Sequence, residues 1–475
     1  MMRYFQERLH RESPLLSKAF FALLLITTAL FFLCVEYIGL KQPVMRWLPI
    51  PICAFVLWTL LRGDYFRNPA YALGFVFLLW YTASRFLNGD TSLRASRYYF
   101  WEMLIIYGFA FLFARESGDA QSRRFLKIFL SALVLFFAFF AVIGVIVSLT
   151  RTEILLPGGV YPTFFDESVS RIYILAQGPN ETAAWATFGV LFTIYLLLEY
   201  NRPILLVPGV LLIILFYWIL TLANTQGARI GMTVAAIPMA VVLFRRFIPE
   251  KKTGLLILVA ALSVVLTWYA VSITGGILGS VDRLLHAEET ATETVKEDSQ
   301  ETESLIYEER ESIKNNLALS GRVGMWETVL SWLETHTKNQ VIGTLEARIM
   351  TILSPGGTYY GYLHSTWLQT LCVAGIPGLL IILALCVFLL IYAFRILFSP
   401  YMTAAEKTVP ILILPVAVHS LIESFLFVTN VPLNFNSTNN LLFFVLAGYT
   451  VELGRKAGSM NCVRQGVEKH EDISE

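Results

Sequence analysis

The chain has 475 residues, 56% hydrophobic and only 15% charged, with a mean hydropathy of +0.62 and a net charge of +1. Soluble domains carry roughly 25% charged residues, and no soluble core absorbs repeated apolar runs of about 20 residues, the length that spans hydrocarbon. The membrane is therefore the solvent for most of this protein, and the balanced charge gives no general attraction to nucleic acid.

The N-terminus, MMRYFQERLHRESPLLSK, leads with positive charge into an apolar run that reaches Gly39. No small-residue cleavage site follows, so the run reads as a retained first helix rather than a signal peptide. Further apolar segments fall at 44–61, 68–87, 97–114, 125–150, 178–199, 203–223, 228–247, 253–277, 374–398, 407–428 and 437–454. Hydrocarbon offers a backbone no partner but itself, so each run is predicted to be a helix. The expected fold is an all-α polytopic membrane protein of about twelve transmembrane helices. Residues 1–277 hold the first nine spans, 278–373 a large extracytoplasmic loop, 374–454 the last three spans and 455–475 a tail. Lys and Arg concentrate in alternate connections, among them Arg123, Arg124, Lys127, Arg245, Arg246, Lys251, Lys252, Arg455 and Lys456. The positive-inside rule then puts both termini in the cytoplasm, in a multi-pass protein of the cytoplasmic (inner) membrane.

Two outward connections are long. Residues 151–177 are mixed and carry Pro157, Gly158, Gly159 and Pro162. Residues 278–373 open with an acidic stretch (288–304, EETATETVKEDSQETES, within an acidic segment 288–312) whose composition suits a solvated spacer. From Arg322 the character changes. In RVGMWETVLSWLETH the spacing puts Val323, Trp326, Val329, Leu330 and Leu333 on one helical face, suited to the membrane interface. A short segment, Tyr362 to Leu371, leads into the tenth span through Gly375-Ile376-Pro377-Gly378. No fixed-period repeat occurs. The cysteines, at 34, 53, 372, 386 and 462, form no CxxC and no readable disulfide or zinc framework.

Several chemistries lack their residues. There is no GxxxxGK phosphate loop, no HExxH and no Asp-x-Asp pair to hold a divalent metal against a nucleotide sugar. What remains is a set of basic residues on the outer side. Arg229 opens the eighth span in TQGARIGMT, Arg322 opens the amphipathic helix in SGRVGMW, and His364 precedes the tenth span in YLHSTWLQTL. Taken singly, each has a plain reading as an interface anchor, a snorkelling side chain or a hydrogen-bonded structural histidine. His419 and Glu423 form an i,i+4 pair in the eleventh span. Such a pair fixes helix packing or, alternatively, couples protons. Glu36, Glu102 and Glu181 lie near span ends.

The order of these residues carries more than any one of them. Gln177-Gly178-Pro179-Asn180-Glu181-Thr182-Ala183 looks like a Pro-Asn-x-x-Ala segment at the start of a span. Thr225-Gln226-Gly227-Ala228-Arg229 is similar to a Ser-x-Ser-Arg-Gly segment, and Ser320-Gly321-Arg322 with Trp326 to a Gly-Arg-x-x-x-Trp segment. Tyr362-Leu363-His364-Ser365 with Leu371, Gly375 and Gly378 is similar to a His-Asn-x-x-Leu segment and the Gly-Ile-x-Gly after it. In these four patterns, and in the large loop before the tenth span, the chain resembles the O-antigen ligase and O-antigen polymerase superfamily. It departs at Ser365, at Gly227, at Gly343-Thr344 and in the acidic segment 288–312.

The resemblance implies a membrane glycosyltransferase of surface-polysaccharide assembly, in O-antigen, capsule or exopolysaccharide. Its donor is a saccharide on polyprenyl (undecaprenyl) pyrophosphate, its acceptor a hydroxyl on a saccharide or lipid-linked molecule, and membrane lipids its surroundings. No cofactor, metal or nucleic acid is called for. The pyrophosphate leaving group gains negative charge as the glycosidic bond breaks, and guanidinium groups hold phosphate oxygens bidentately. Arg229 and Arg322 are the natural clamp, with Arg171 a third candidate. Asn180 and Glu181 adjoin the donor pocket. The acceptor hydroxyl must lose a proton, and an imidazole, titrating near neutral pH, suits that task, which falls to His364. Polymerase and ligase share this donor chemistry and stay open. A lipid-linked sugar transporter or flippase is the alternative from another class, favoured only by the His419/Glu423 pair.

Overall fold

The structure, a computed structural model, describes residues 14–32, 46–89, 93–116, 118–155, 162–166, 171–174, 178–245, 248, 252–285, 319–353, 363–424, 426–428 and 435–471. The acidic segment 288–312, the basic N-terminal lead before Pro14 and Gln177 of the first pattern lie outside them. Among the described residues the chain opens with α1 (Pro14–Phe32), α2 (Pro49–Arg62), α3 (Asp64–Arg67), α4 (Pro69–Leu87), α5 (Leu93–Met103), which runs into a π-helical turn at Leu104–Ala110, and α6 (Phe113–Glu116). After α7 (Gly118–Thr150) come three strands, then α8 (Pro179–Tyr200), α9 (Leu206–Ala223), α10 (Gln226–Phe244) and α11 (Thr253–Leu285). The large loop carries α12 (Leu319–Thr335), α13 (Thr337–Ile342) and α14 (Glu346–Leu353). Then follow α15 (Thr366–Phe398), α16 (Ala404–Leu412), α17 (Leu414–His419) and α18 (Phe435–Glu471).

Each of the twelve predicted runs overlaps helical structure. Among the described residues, seven helices are long and apolar enough to cross a membrane: α4, α7, α8, α9, α10, α11 and α15, while α1 and α2 are shorter apolar helices. The all-helical expectation needs one amendment. The connection 151–177 holds a small antiparallel sheet, ordered β1 (Ile154–Leu155), β2 (Pro162–Asp166) and β3 (Arg171–Tyr173). Phe165 pairs with Ile172 and Asp166 with Arg171 across its ladder. Ile172 and Ile174 are buried, and Gly144 of α7 lies under both, so the sheet covers the C-terminal end of α7.

Helix α15 is two helices joined across a kink at Gly375. Gly375 has φ 66° and ψ −176°, a conformation only glycine adopts without strain, and Pro377 follows it. Breaking a helix inside a bilayer frees carbonyls, which must find partners in the protein. Here Cys372 O accepts from Thr344 N at 2.7 Å, Val373 O from Ser84 Oγ at 3.0 Å and Ala374 O from Trp80 Nε1 at 2.6 Å. The approach is so close that a Cβ on Gly343 would overlap the Val373 carbonyl, and one on Gly375 the Val341 carbonyl. A buried ion pair adds to this seam: Arg85 of α4 reaches Glu346 of α14 at 2.6 Å, and Tyr81 donates to the same carboxylate at 3.0 Å. The loop helices are thus fastened to α4 and to the first piece of α15.

The amphipathic helix α12 turns a narrower face inward than its sequence indicated. Met325, Val329 and Leu333 are buried, whereas Val323 and Leu330 are exposed. At 100° per residue the last two sit about a quarter turn away from that stripe.

Candidate functional site

The site grows from a helix that stops early. Continuous helix through 407–428 would put His419 and Glu423 on one face. Instead the run breaks at Ile413, before Pro415, α17 ends at His419, and residues 420–424 form a turn. The pair is therefore not an i,i+4 helical pair. The carbonyls that the turn exposes are taken by other segments. Ser420 O and Glu423 O both accept from Thr366 N, at 3.0 and 3.1 Å, Glu423 O also accepts from Thr366 Oγ1 at 2.9 Å, and Ile422 O accepts from Arg322 Nη1. Ser424 Oγ accepts from Ser365 N at 3.2 Å. The start of α15 and the end of α17 are thus stitched together.

At that junction stands Glu423, its side chain 2% exposed. Oε1 accepts from Arg322 Nη2 at 2.7 Å and from Asn180 Nδ2 at 2.6 Å, and Oε2 faces His364 Nδ1 at 3.0 Å. A carboxylate beside a guanidinium is ionised and can only accept. Nδ1 of His364 therefore carries the proton and Nε2 is the basic nitrogen. His364 is 22% exposed and has φ 48°, a left-handed conformation that a non-glycine residue adopts at a cost of about 1–2 kcal/mol. Ser365, where the resembled pattern has Asn, caps α15 by accepting from Leu368 N. Arg322 and Trp326 lie one turn apart on α12. While Arg322 grips the 422–423 segment, Trp326 Nε1 donates to Leu363 O at 2.7 Å, beside His364. The Gly-Arg-x-x-x-Trp spacing is thus a two-point attachment.

The remaining candidates take different places. His419 packs against Gly227, where a Cβ would overlap its ring, and Gly231 one turn later meets the Pro415 carbonyl, so α10 and α17 touch through glycines. Arg229, two residues after Gly227, turns toward α11 and lies over the Trp268 ring at 5.1 Å. Arg229 is not among the residues bonded to Glu423, and neither is Arg171, which sits on β3 opposite Asp166. Glu181 is buried in the first turn of α8, over Gly178 and within Coulombic range of Glu423. Among the described residues no three His, Cys, Asp or Glu side chains converge as a metal site would require.

Reading from the sequence treated Glu423 as half of a packing pair and missed its place at the centre. Its one signal was a carboxylate within an apolar run, which is costly unless partnered. Fold and site together define a polytopic helical membrane protein that gathers a carboxylate, an imidazole and a guanidinium at one end of its bundle. Residues 210–383 match the family model for O-antigen ligase, Wzy_C, which supports the resemblance to the O-antigen ligase and polymerase superfamily. The match includes Arg229, Arg322 and His364, and leaves Asn180, Glu181 and Glu423 outside it. No curated protein matches the chain.

Proposed function

We propose that the protein transfers an oligo- or polysaccharide from polyprenyl pyrophosphate to an acceptor hydroxyl at the outer face of the cytoplasmic membrane. Both termini then lie in the cytoplasm. The observation that carries this reading is Glu423, which ties Arg322, His364 and Asn180 into one cluster from three distant parts of the chain. In the proposed reaction the acceptor O–H gives its proton to His364 Nε2. The acceptor oxygen bonds the anomeric carbon, and the bond from that carbon to the pyrophosphate oxygen breaks, leaving its electron pair on the phosphate. Arg322 spends one N–H on Glu423 and one on Ile422, and the rest of its fork is available for phosphate oxygens. Arg229 supplies a second guanidinium near the start of α10, and Arg171 a third from β3. The charge gathered this way is the stabilisation that a metal provides in other transferases, so the proposed reaction is metal-independent. Glu423 is a positioning residue. It holds the tautomer of His364 and the plane of Arg322 without touching substrate.

The transport alternative drew on a helical His419/Glu423 pair, and these residues do not share a helix. Purified protein supplied with a lipid-linked saccharide and an acceptor separates the readings. Transfer yields glycosylated acceptor and polyprenyl pyrophosphate in equal amounts. Donor that crosses a bilayer intact, with no pyrophosphate released, refutes the proposal.

A further inference from the structure

The sheet between α7 and α8 has two unlike faces. Ile172 and Ile174 turn inward onto α7, and Thr163 is buried on the same side. Side chains alternate along a strand, so Phe164, Asp166, Arg171 and Tyr173 share the opposite face. Phe164 and Tyr173 are a cross-strand pair with nearly parallel rings, 3° apart in plane and 4.8 Å between centroids. Phe164 thus covers one face of the Tyr173 ring. Among the described residues β3 is an edge strand, so no strand covers the other face. Tyr173 is half-buried.

This face lies at the Glu423 end of the bundle. Tyr173 precedes Asn180 by seven residues, so the two stand at most about 25 Å apart, and β3 packs against α8. Burial, then the Asp166 carboxylate and more weakly that of Glu181, push the Tyr173 phenol above its ordinary value, with Arg171 opposing. The phenol therefore stays an O–H donor. Glu181 in turn lies within Coulombic range of Glu423.

The chemistry of the face narrows its ligand. A pyranose has a flat side of C–H bonds and a rim of hydroxyls. The C–H side fits an aromatic ring, and the hydroxyls fit the carboxylate, guanidinium and phenol around it. An acyl chain would desolvate Asp166 and Arg171 without giving them a partner. Strands of two, five and three residues, packed on one side, present less than the roughly 800 Å² per partner of a stable protein interface. Arg171 and Tyr173 stand two residues apart on one strand, about 7 Å, which is the step from a phosphate to the sugar it carries.

We infer that Tyr173, backed by Phe164, is a stacking platform for a pyranose ring of the donor saccharide, beside the pyrophosphate that Arg171 faces. The saccharide class follows from the rings and their polar flanks, whereas the donor as its source rests on the transfer reaction proposed above.

The test is saturation-transfer NMR on the full chain in nanodiscs, with the oligosaccharide freed by mild acid from the cell's polyprenyl pyrophosphates as the probe. Wild type saturates the pyranose C–H protons of the probe. Tyr173→Ala and Tyr173→Leu each weaken binding about tenfold, whereas Tyr173→Phe, which keeps the ring, changes it less than about twofold. In turnover, Tyr173→Ala raises the donor KM and not the acceptor KM. No saturation by wild type, binding in Tyr173→Ala and Tyr173→Leu equal to wild type, or a loss in Tyr173→Phe as large as in Tyr173→Leu overturns the inference. A rise in the acceptor KM alone overturns the donor as the source. Binding is read without turnover. A wild type that binds the probe through Tyr173 yet releases no pyrophosphate therefore refutes the transfer reaction and not the platform.

Discussion

Replacing Glu423 by glutamine separates positioning from packing. The side chain keeps its shape, and its amide oxygen takes the place of Oε1, where it accepts from Arg322 and Asn180 as before. The amide NH₂ then faces His364 Nδ1 in place of Oε2. A nitrogen facing a donor must accept, so the imidazole proton moves to Nε2 and the base is lost. General-base catalysis is worth typically about 10²–10⁴-fold, and turning the orienting acid of a catalytic triad into its amide costs about 10⁴-fold. Arg322 also exchanges an ionic acceptor for a neutral one, a loss of about 1–2 kcal/mol. Turnover of a lipid-linked donor is therefore expected to fall at least about 100-fold, while the melting temperature shifts by only a few degrees. The pH–rate profile should lose the limb that reports a base. Glu423→Asp keeps the charge at shorter reach and should fall between the two. Turnover within about twofold of wild type in Glu423→Gln, with the same pH profile, would refute the positioning role.

Other consequences follow from single contacts. His364→Ala should abolish transfer at an unchanged level of protein in the membrane, and full activity in that variant would remove His364 from the mechanism. Arg322→Lys still pairs with Glu423 but loses the planar fork, so donor turnover should drop about 10–100-fold, as the loss of one charge-assisted hydrogen bond implies. Gly227→Ala drives a methyl into the His419 ring. It should cost about 1–3 kcal/mol of stability by overpacking, read as a lowered melting temperature that His419→Ala partly restores. Glu346→Gln replaces the carboxylate that buried Arg85 reaches at 2.6 Å by a neutral amide. It should destabilise by about 3–5 kcal/mol, and a melting temperature equal to wild type would contradict the fastening of α14 to α4.

The sequence made some of this plain and hid the rest for identifiable reasons. Helix positions were legible because a 20-residue apolar run has one solution in hydrocarbon. Gly375-Ile376-Pro377-Gly378 read as the lead into a span, whereas the helix begins at Thr366 and the break falls inside it at Gly375. The attachment of Arg322 and Trp326 was implicit in their four-residue spacing, since both lie on one helical face. The three strands were not visible, because short ladders such as Phe165–Ile172 have too little periodicity to stand out from a Gly- and Pro-bearing loop. Glu423 was hidden twice. A helical period was assumed across a run that breaks at Ile413, before Pro415, and stops as helix at His419. Its partners Asn180, Arg322 and His364 lie 243, 101 and 59 residues away, distances that no local pattern bridges. Arg229 was placed at the correct helix start, but its direction toward Trp268 depends on the packing of α10 against α11.

The central claim is that Glu423 and His364 act as one unit in sugar transfer. The most direct measurement is donor turnover in proteoliposomes for wild type, Glu423→Gln, His364→Ala and the double variant. Groups that act as a unit give losses that do not multiply. The double variant should therefore be no slower than His364→Ala alone. If the two losses multiply, the residues contribute independently and the cluster is not the catalytic unit described here.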